Sequence, residues 1–174
     1  MKRLELRLIS ELMKDSHVSD RKLAKRLGTS QPTASRLRKK LEREGYIKEY
    51  TIIPNFSKLG YNIMALTFVR LRATVAAKVF EEARKVAMES MKTGPHEIIM
   101  LERGIGCASH GVVISYHRNY SCYKKLRKWL GQFTLLDVDK IDSFLIDLND
   151  QVRYRPLTFK ALAQHLLTAE GGEE

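Results

Sequence analysis

Apolar residues in the first third of the chain recur at the spacing of α-helices. The first such segment covers residues 3–14, and its apolar face consists of Leu4, Leu8, Ile9 and Leu12. A second segment covers residues 20–27, where Ser19 is a suitable N-cap and Gly28 is suited to the left-handed turn that ends a helix. The pattern predicts two short amphipathic helices in succession.

A third helix is predicted to begin directly after Ser30, a second N-cap residue. Pro32 lies in its first turn, where a missing N–H group is tolerated. The apolar residues of this helix, Ala34, Leu37 and Leu41, share one face. The polar residues that we select as candidate nucleic-acid contacts lie on the opposite face and its flanks: Gln31, Thr33, Ser35, Arg36, Arg38, Lys39, Lys40 and Arg43.

Residues 46–53 follow Gly45 and are rich in β-formers, with Pro54 as a breaker behind them. They predict a wing or a linking strand. We therefore expect residues 1–60 to form one domain of three helices and a strand.

The rest of the chain alternates between strand and helix patterns. Strands are predicted at 62–72, 97–103, 111–117 and 138–148, and helices at 75–91 and 119–132, with a loop at 104–106. The order βαββαβ over residues 61–150 predicts an α+β domain in which two helices cover one face of a sheet.

Alternating residues make both faces of this sheet apolar, as Phe144 and Ile146 opposite Ile141 and Leu145 illustrate. Because an uncovered apolar face is an association surface, we expect a second copy of the chain to cover it. The alternative is that the amphipathic segment 156–167, within a C-terminal region 151–174, folds back over the sheet. We favour a position for that segment in a subunit interface or at the domain junction.

The distribution of charged residues distinguishes the first domain from the rest of the chain. Residues 1–60 contain 15 Lys or Arg and 7 Asp or Glu, whereas residues 61–174 contain 16 and 13. A basic module beside a nearly balanced one favours a polyanion partner, although a generally basic surface is the alternative.

The chain has two cysteines and no apolar run long enough to span a membrane, so we expect a cytoplasmic location.

The outer face of the third helix has the chemistry that a B-DNA major groove requires. Gln31, Ser35 and Arg36 are candidates for contacts to base edges, because amide, hydroxyl and guanidinium groups match the donors and acceptors there. Lys39, Lys40 and Arg43 are candidates for phosphate contacts. The alternative is a solvated helix face, since Arg and Lys are good helix formers.

Four segments together resemble a known family in order and spacing. They are residues 23–30, 36–47, 50–51 and 59–61, and they resemble the Lrp/AsnC feast/famine regulators. The resemblance implies a winged helix-turn-helix followed by a ferredoxin-like, ligand-sensing domain that forms dimers and often higher assemblies. It also implies double-stranded DNA as the partner, and in a dimer two recognition helices would read an inverted repeat.

The family's effector loop carries a glycine, a hydrophobic residue and an aspartate. Here Gly104 and Gly106 remain, but residues 107–111 contain no acidic side chain. An aspartate that would hold the ammonium group of an amino acid is therefore missing. The candidate effector residues are Gly104, Gly106, Ser109 and His110.

Two other functions have weaker support. A metal or redox site would draw on Cys107, His110, His117 and Cys122, but strand alternation sends the two histidines to opposite sides. An enzyme of the sirohaem decarboxylase type, which resembles this layout, would draw on His96, Arg103 or His110. The basic helix face argues against such an enzyme, and we expect no catalytic residues, no metal and no cofactor.

Overall fold

The computed structural model describes residues 2–71, 77–133 and 140–168. The chain divides into two compact units. The helical unit comprises Met1–Pro54 and Arg153–Glu174, and the sheet unit comprises Asn55–Val152. The predicted element ends at residues 72, 75 and 138 lie outside the described residues, and so does the end of the C-terminal region 151–174.

The helical unit begins with the three predicted helices. They are α1 (Arg3–Lys14), α2 (Asp20–Leu27) and α3 (Gln31–Arg43). The Ser19 and Ser30 side chains accept hydrogen bonds from backbone N–H groups in the first turns of α2 and α3, as N-caps do. Gly28 ends α2 at φ 69°, a left-handed conformation that favours glycine, and so permits the tight turn between α2 and α3.

One apolar cluster holds these helices together. Leu8, Leu23 and Leu41, one from each helix, are fully buried, and Leu12, Val18 and Leu27 complete the cluster. Burying a leucine side chain contributes about 1.5–3 kcal/mol, so this cluster fixes how α3 is held against α1 and α2.

The prediction that residues 46–53 form a strand is wrong, because none of these residues is in a strand in the structure. A strand needs a neighbouring backbone, and no described segment pairs with this one. The segment instead caps α3, since the N–H groups of Tyr46 and Ile47 donate to the carbonyl of Leu41. The hydroxyl of Tyr50 donates to Glu42 Oε1 at 2.7 Å, and burial together with this bond raises the pKa of Tyr50 to about 12.

The C-terminal helix α6 (Lys160–Thr168) packs on α1 within the helical unit. Ser10 on α1 is fully buried, and its hydroxyl donates to the carbonyl of Ala163 at 2.7 Å. Ala163 is fully buried as well, so two small residues lie at this contact between α1 and α6.

The sheet unit has the predicted order βαββαβ. After a 3₁₀ turn at Ser57–Leu59, its elements are β1 (Ile63–Val69), α4 (Ala77–Thr93), β2 (Ile98–Gly106), β3 (Ser109–His117), α5 (Tyr120–Leu130) and β4 (Asp142–Asp147). The strands are antiparallel in the order β2-β3-β1-β4, a ferredoxin-like topology.

The predicted loop at residues 104–106 is wrong, because those residues continue β2. The turn is instead Cys107–Ala108, with φ 48° and 49°. Two left-handed residues in succession are typical of the tight hairpin turn that matches strand twist, and they join β2 to β3 without a longer loop.

The two faces of the sheet differ in cover. On one face Val69 and Val113 pack with Leu126 and Leu130 of α5 in a buried cluster. On the other face the register aligns apolar residues of β1, β3 and β4: Met64, Leu66, Phe68, Val112, Ile114, Phe144 and Ile146. This second set, the open face, includes Phe144, which is 64% exposed.

The stacked rings of Phe56 and Tyr116, with centroids 3.8 Å apart, lie at the Met64 end of the open face. Burial raises the pKa of Tyr116. The chain before β1 therefore packs on one corner of that face.

No helix in the described parts of the chain is long and apolar enough to cross a membrane.

Candidate nucleic-acid interface

Helix α3 is anchored on one side and open on the other. Ala34 and Leu41 are fully buried, and Leu37 packs against the same cluster. Gln31, Arg36, Lys39 and Arg43 are exposed, and Ser35 is half-buried. The apolar side chains thus hold the helix in place while its polar side faces away from the unit.

Three cations on that side form the free cation set: Arg36, Lys39 and Arg43. None of them makes an ion pair or a side-chain hydrogen bond with the residues that the structure describes. Their charges are therefore available to an external anion. Thr33 differs, because its hydroxyl lies 2.8 Å from that of Ser30 within the N-cap.

Arg38 is held inside the unit. Its guanidinium donates to the carbonyl of Val18 at 2.8 Å, and its Nε lies 3.1 Å from Asp20 Oδ1. Both atoms of the ion pair are buried, and neither has another hydrogen-bond partner among the described residues. Arg38 thus joins α3 to α2 and to the turn before it.

Lys40 is held in the same way by α1. Its Nζ lies 2.6 Å from Oε1 of Glu5, whose other oxygen accepts from the backbone N–H of Lys2 at 2.7 Å. The hydrogen bond from Lys40 lowers the pKa of Glu5, and Glu5 raises the pKa of Lys40. We call Arg38 and Lys40 the tied cation pair.

Glu5 and Asp20, the acids that hold this pair, are not among the residues that the sequence pattern singles out. Lys40 and Glu5 are 35 positions apart, so no local pattern indicates their contact.

An open depression of about 760 Å³ borders the exposed side of α3. Its lining consists of Leu4, Pro32, Thr33, Ser35, Arg36, Leu37, Lys39, Lys40 and Arg43. A concave surface edged by cations is complementary to a convex, negatively charged backbone.

Comparison with known proteins identifies the kind of protein that carries this surface. Residues 1–48 match the family model for winged helix-turn-helix DNA-binding domains. An HTH-type transcriptional regulator of Pyrococcus furiosus is 34% identical over 103 residues, which cover 57% of this chain and 69% of that protein. The regulator LrpA of Pyrococcus horikoshii is 37% identical over 79 residues, covering 45% and 54%.

The fold comparison agrees with the sequence comparison. The crystal structure of an AsnC family transcriptional regulator from Agrobacterium tumefaciens superposes with a TM-score of 0.71 at 18% identity. The match covers 93% of this chain and 99% of that one. The chain belongs to the Lrp/AsnC family of transcriptional regulators.

As an Lrp/AsnC regulator, the protein binds DNA and controls transcription. Its two units correspond to the winged helix-turn-helix and the ferredoxin-like domain of that fold. The relatives named above are transcriptional regulators.

The predicted effector residues of this Lrp/AsnC regulator lie on the β2–β3 hairpin. Gly104 and Gly106 are in β2, and Ser109 and His110 begin β3. Ser109 is buried and its hydroxyl donates to the carbonyl of Cys107 at 3.1 Å. His110 Nδ1 accepts from the backbone N–H of Leu71 at 3.1 Å, so this ring nitrogen is occupied within the fold.

The residues considered for a metal site are dispersed. Cys107 is exposed at the hairpin turn, whereas His117 is buried in β3 with its Nε2 2.8 Å from the hydroxyl of Ser115. Burial lowers the pKa of His117 and favours its neutral ring. No group of three potential ligands is found in the parts of the chain that the structure describes.

Proposed function

We propose that α3 reads the base sequence of duplex DNA from the major groove. In this proposal Gln31, Ser35 and Arg36 contact base edges, and Lys39 and Arg43 bind phosphates. The observation that carries it is the free cation set on the exposed side of a helix whose opposite side is fully buried. The protein acts by binding, with no catalytic step.

The proposal gives the tied cation pair a different role from the one predicted. Arg38 and Lys40 hold α3 against α2 and α1 through buried or half-buried acids. Their role in this proposal is to position the helix and not to bind DNA. A cation that already has a carboxylate partner gains less from a phosphate.

Selection of duplexes from a random-sequence pool tests whether α3 reads bases. The wild-type protein is expected to enrich a defined sequence, and Arg36→Ala to lose about 1–3 kcal/mol of preference for that sequence over random DNA. Arg84→Ala, on exposed α4, is the matched control and is expected to keep the preference. Equal losses on selected and random DNA would contradict base reading by Arg36.

We also propose that the protein is a homodimer joined through the open face of the sheet. The support is an apolar surface that spans three strands and includes the exposed ring of Phe144. Stable interfaces bury about 800 Å² on each partner, and apolar side chains supply most of the gain. A two-fold dimer presents two α3 helices, which suits an inverted-repeat site.

Sedimentation equilibrium tests the dimer. Phe144→Glu places a charge on the open face and is expected to shift the protein towards the monomer mass. Val86→Glu changes another exposed apolar residue, 55% accessible on α4, and is expected to leave the mass unchanged. A dimer mass for both variants would exclude the open face as the contact.

Modulation by a small-molecule effector at Gly104, Gly106, Ser109 and His110 remains a prediction. His110 lies beside the tight β2–β3 turn and its Nδ1 is engaged, so within the described residues Nε2 is the ring nitrogen open to a ligand. A shift of backbone NMR signals in this hairpin on titration with amino acids would support it, and unchanged signals would contradict it.

A further inference from the structure

Helix α5 of the sheet unit carries four cations that the DNA-reading proposal does not use. They are Lys124, Lys125, Arg127 and Lys128, which we call the α5 basic face, and all four are exposed. Helical geometry places them within an arc of about 160° and over a length of about 6 Å. Tyr123, Leu126 and Leu130 bury the opposite side of the helix, so the basic face points away from the sheet.

No acidic side chain compensates this face within the described residues. Helix α5 contains no Asp or Glu, and none of the four cations forms an ion pair there. Among the residues that the structure describes, Lys124 contacts the ring of Tyr120, 5.9 Å from its Nζ, and this contact leaves its charge in place. Glu97 borders the same surface depression as Lys125 without pairing with it.

Helix α4 of the same unit shows the ordinary arrangement of an exposed charged helix. Its Arg84 and Lys92 pair with Glu81 and Glu89 one turn away, at 3.7 and 2.6 Å. Mixed charges of this kind favour solubility and stabilise the helix. The α5 basic face therefore differs from a merely solvated surface.

The cations of α5 repel one another. Lys124 lies one turn from both Arg127 and Lys128, and like charges at this spacing destabilise a helix. Arg127 and Lys128 gain from the helix dipole in the last turn, but Lys124 and Lys125 lie before it. An external anion would offset this repulsion.

The sheet unit as a whole gives the same indication. Residues 55–152 contain 14 Lys or Arg and 10 Asp or Glu, a net charge of +4, which equals the charge of the α5 basic face alone. Outside this face the unit therefore has equal numbers of cationic and acidic residues, 10 of each.

We propose that the α5 basic face is a second nucleic-acid contact, which binds the phosphates of duplex DNA flanking the segment that α3 reads. Duplex DNA carries one negative charge per about 1.7 Å of its axis, so about 6 Å of it matches the four cations in number. The inference rests on DNA binding through α3, and it assigns part of the non-specific affinity to the sheet unit.

Lysine footprinting tests this contact directly. The full-length protein is treated with an amine-reactive acetylating reagent with and without sonicated genomic DNA, and modified peptides are counted by mass spectrometry. Lys124, Lys125 and Lys128 are expected to become severalfold less reactive with DNA. Lys85 and Lys92 on α4 serve as unprotected controls.

Lys39 on α3 separates the two proposals in the same experiment. Protection of Lys39 without protection of the three α5 lysines would overturn the α5 contact and leave the α3 proposal standing. No protection at either helix would overturn both. Protection that appears without DNA as the protein is concentrated would assign the face to contact between copies and overturn the inference.

A matched pair of variants provides the second readout. Changing Lys124, Lys125, Arg127 and Lys128 to Gln is expected to reduce the slope of log affinity against log salt by about 0.9 for each phosphate that the variant no longer binds. The control changes Lys58, Arg84, Lys85 and Lys92 to Gln and removes the same charge. Circular dichroism first checks that both variants are folded. Equal slopes in the two variants would then mean that only net charge matters, and would overturn the proposal.

Discussion

The cations of α3 fall into two groups that the sequence does not separate. The free cation set, Arg36, Lys39 and Arg43, projects from the helical unit without partners among the described residues. The tied cation pair is interleaved with it in sequence, yet Asp20 and Glu5 hold its members. A basic helix face is therefore not uniformly available to DNA, and the acids on neighbouring helices decide which cations are.

The physical reason is that the two groups of cations give up different partners when they bind a phosphate. A free Lys or Arg gives up water to meet a phosphate, and the counterions released from DNA favour the exchange. A tied cation would also have to leave a carboxylate that is 7% exposed in Glu5 and 27% exposed in Asp20. That carboxylate would then lack its partner, which costs free energy.

The largest expected effect of this division is on stability. Arg38→Ala removes the partner of Asp20 Oδ1 and the donor to the Val18 carbonyl, and buried groups left unsatisfied cost about 1–3 kcal/mol. Urea denaturation measures the free energy of unfolding. Arg36→Ala is the control, with an expected change within about 0.5 kcal/mol. Equal stability of both variants would end the distinction between the two groups.

A smaller effect is expected on DNA affinity. Lys39→Ala removes a free cation and is expected to reduce the salt slope by about 0.9, with similar losses on all sequences. Lys40→Ala removes a cation that is already paired with Glu5 and is expected to leave the slope close to that of the wild type. Binding to mixed-sequence duplex over a range of salt concentrations measures both. The reverse result would make Lys40 the phosphate contact.

The local features of the helical unit were predictable because neighbouring residues encode them. The caps at Ser19 and Ser30, the glycine turn at Gly28 and the buried face of α3 follow from propensity and spacing within one helix. The division among its cations was not predictable, because it depends on contacts between residues far apart in sequence.

The sheet unit shows the same limit. The residue patterns predicted the succession of strands and helices along the chain, but glycine suggested a loop at 104–106 where β2 continues. Glycine weakens a strand but does not prevent one where the neighbouring strand offers backbone hydrogen bonds. Gly106, which pairs with Ser109 of β3, is an example. The opposite error occurred at residues 46–53, where β-formers lack a partner strand.

The smallest expected effect concerns pH. The hydrogen bond from Lys40 holds the pKa of Glu5 below its ordinary value of 4.5, so the folded state favours the carboxylate more than the unfolded state does. The contribution of Glu5 to stability is therefore present above its unfolded pKa. It is lost as pH falls through the lower, folded value.

Comparing the wild type with Glu5→Gln isolates that contribution, since every other carboxyl group is common to both proteins. The wild type is expected to be more stable near neutral pH, and the difference is expected to shrink as urea denaturation is repeated towards about pH 3. The raised pKa of Lys40 adds a second limit, because the pair also weakens as pH rises through it. A difference that stayed constant from neutral to acid pH would mean that Glu5 acts through packing rather than charge, and Lys40 would then join the free cations.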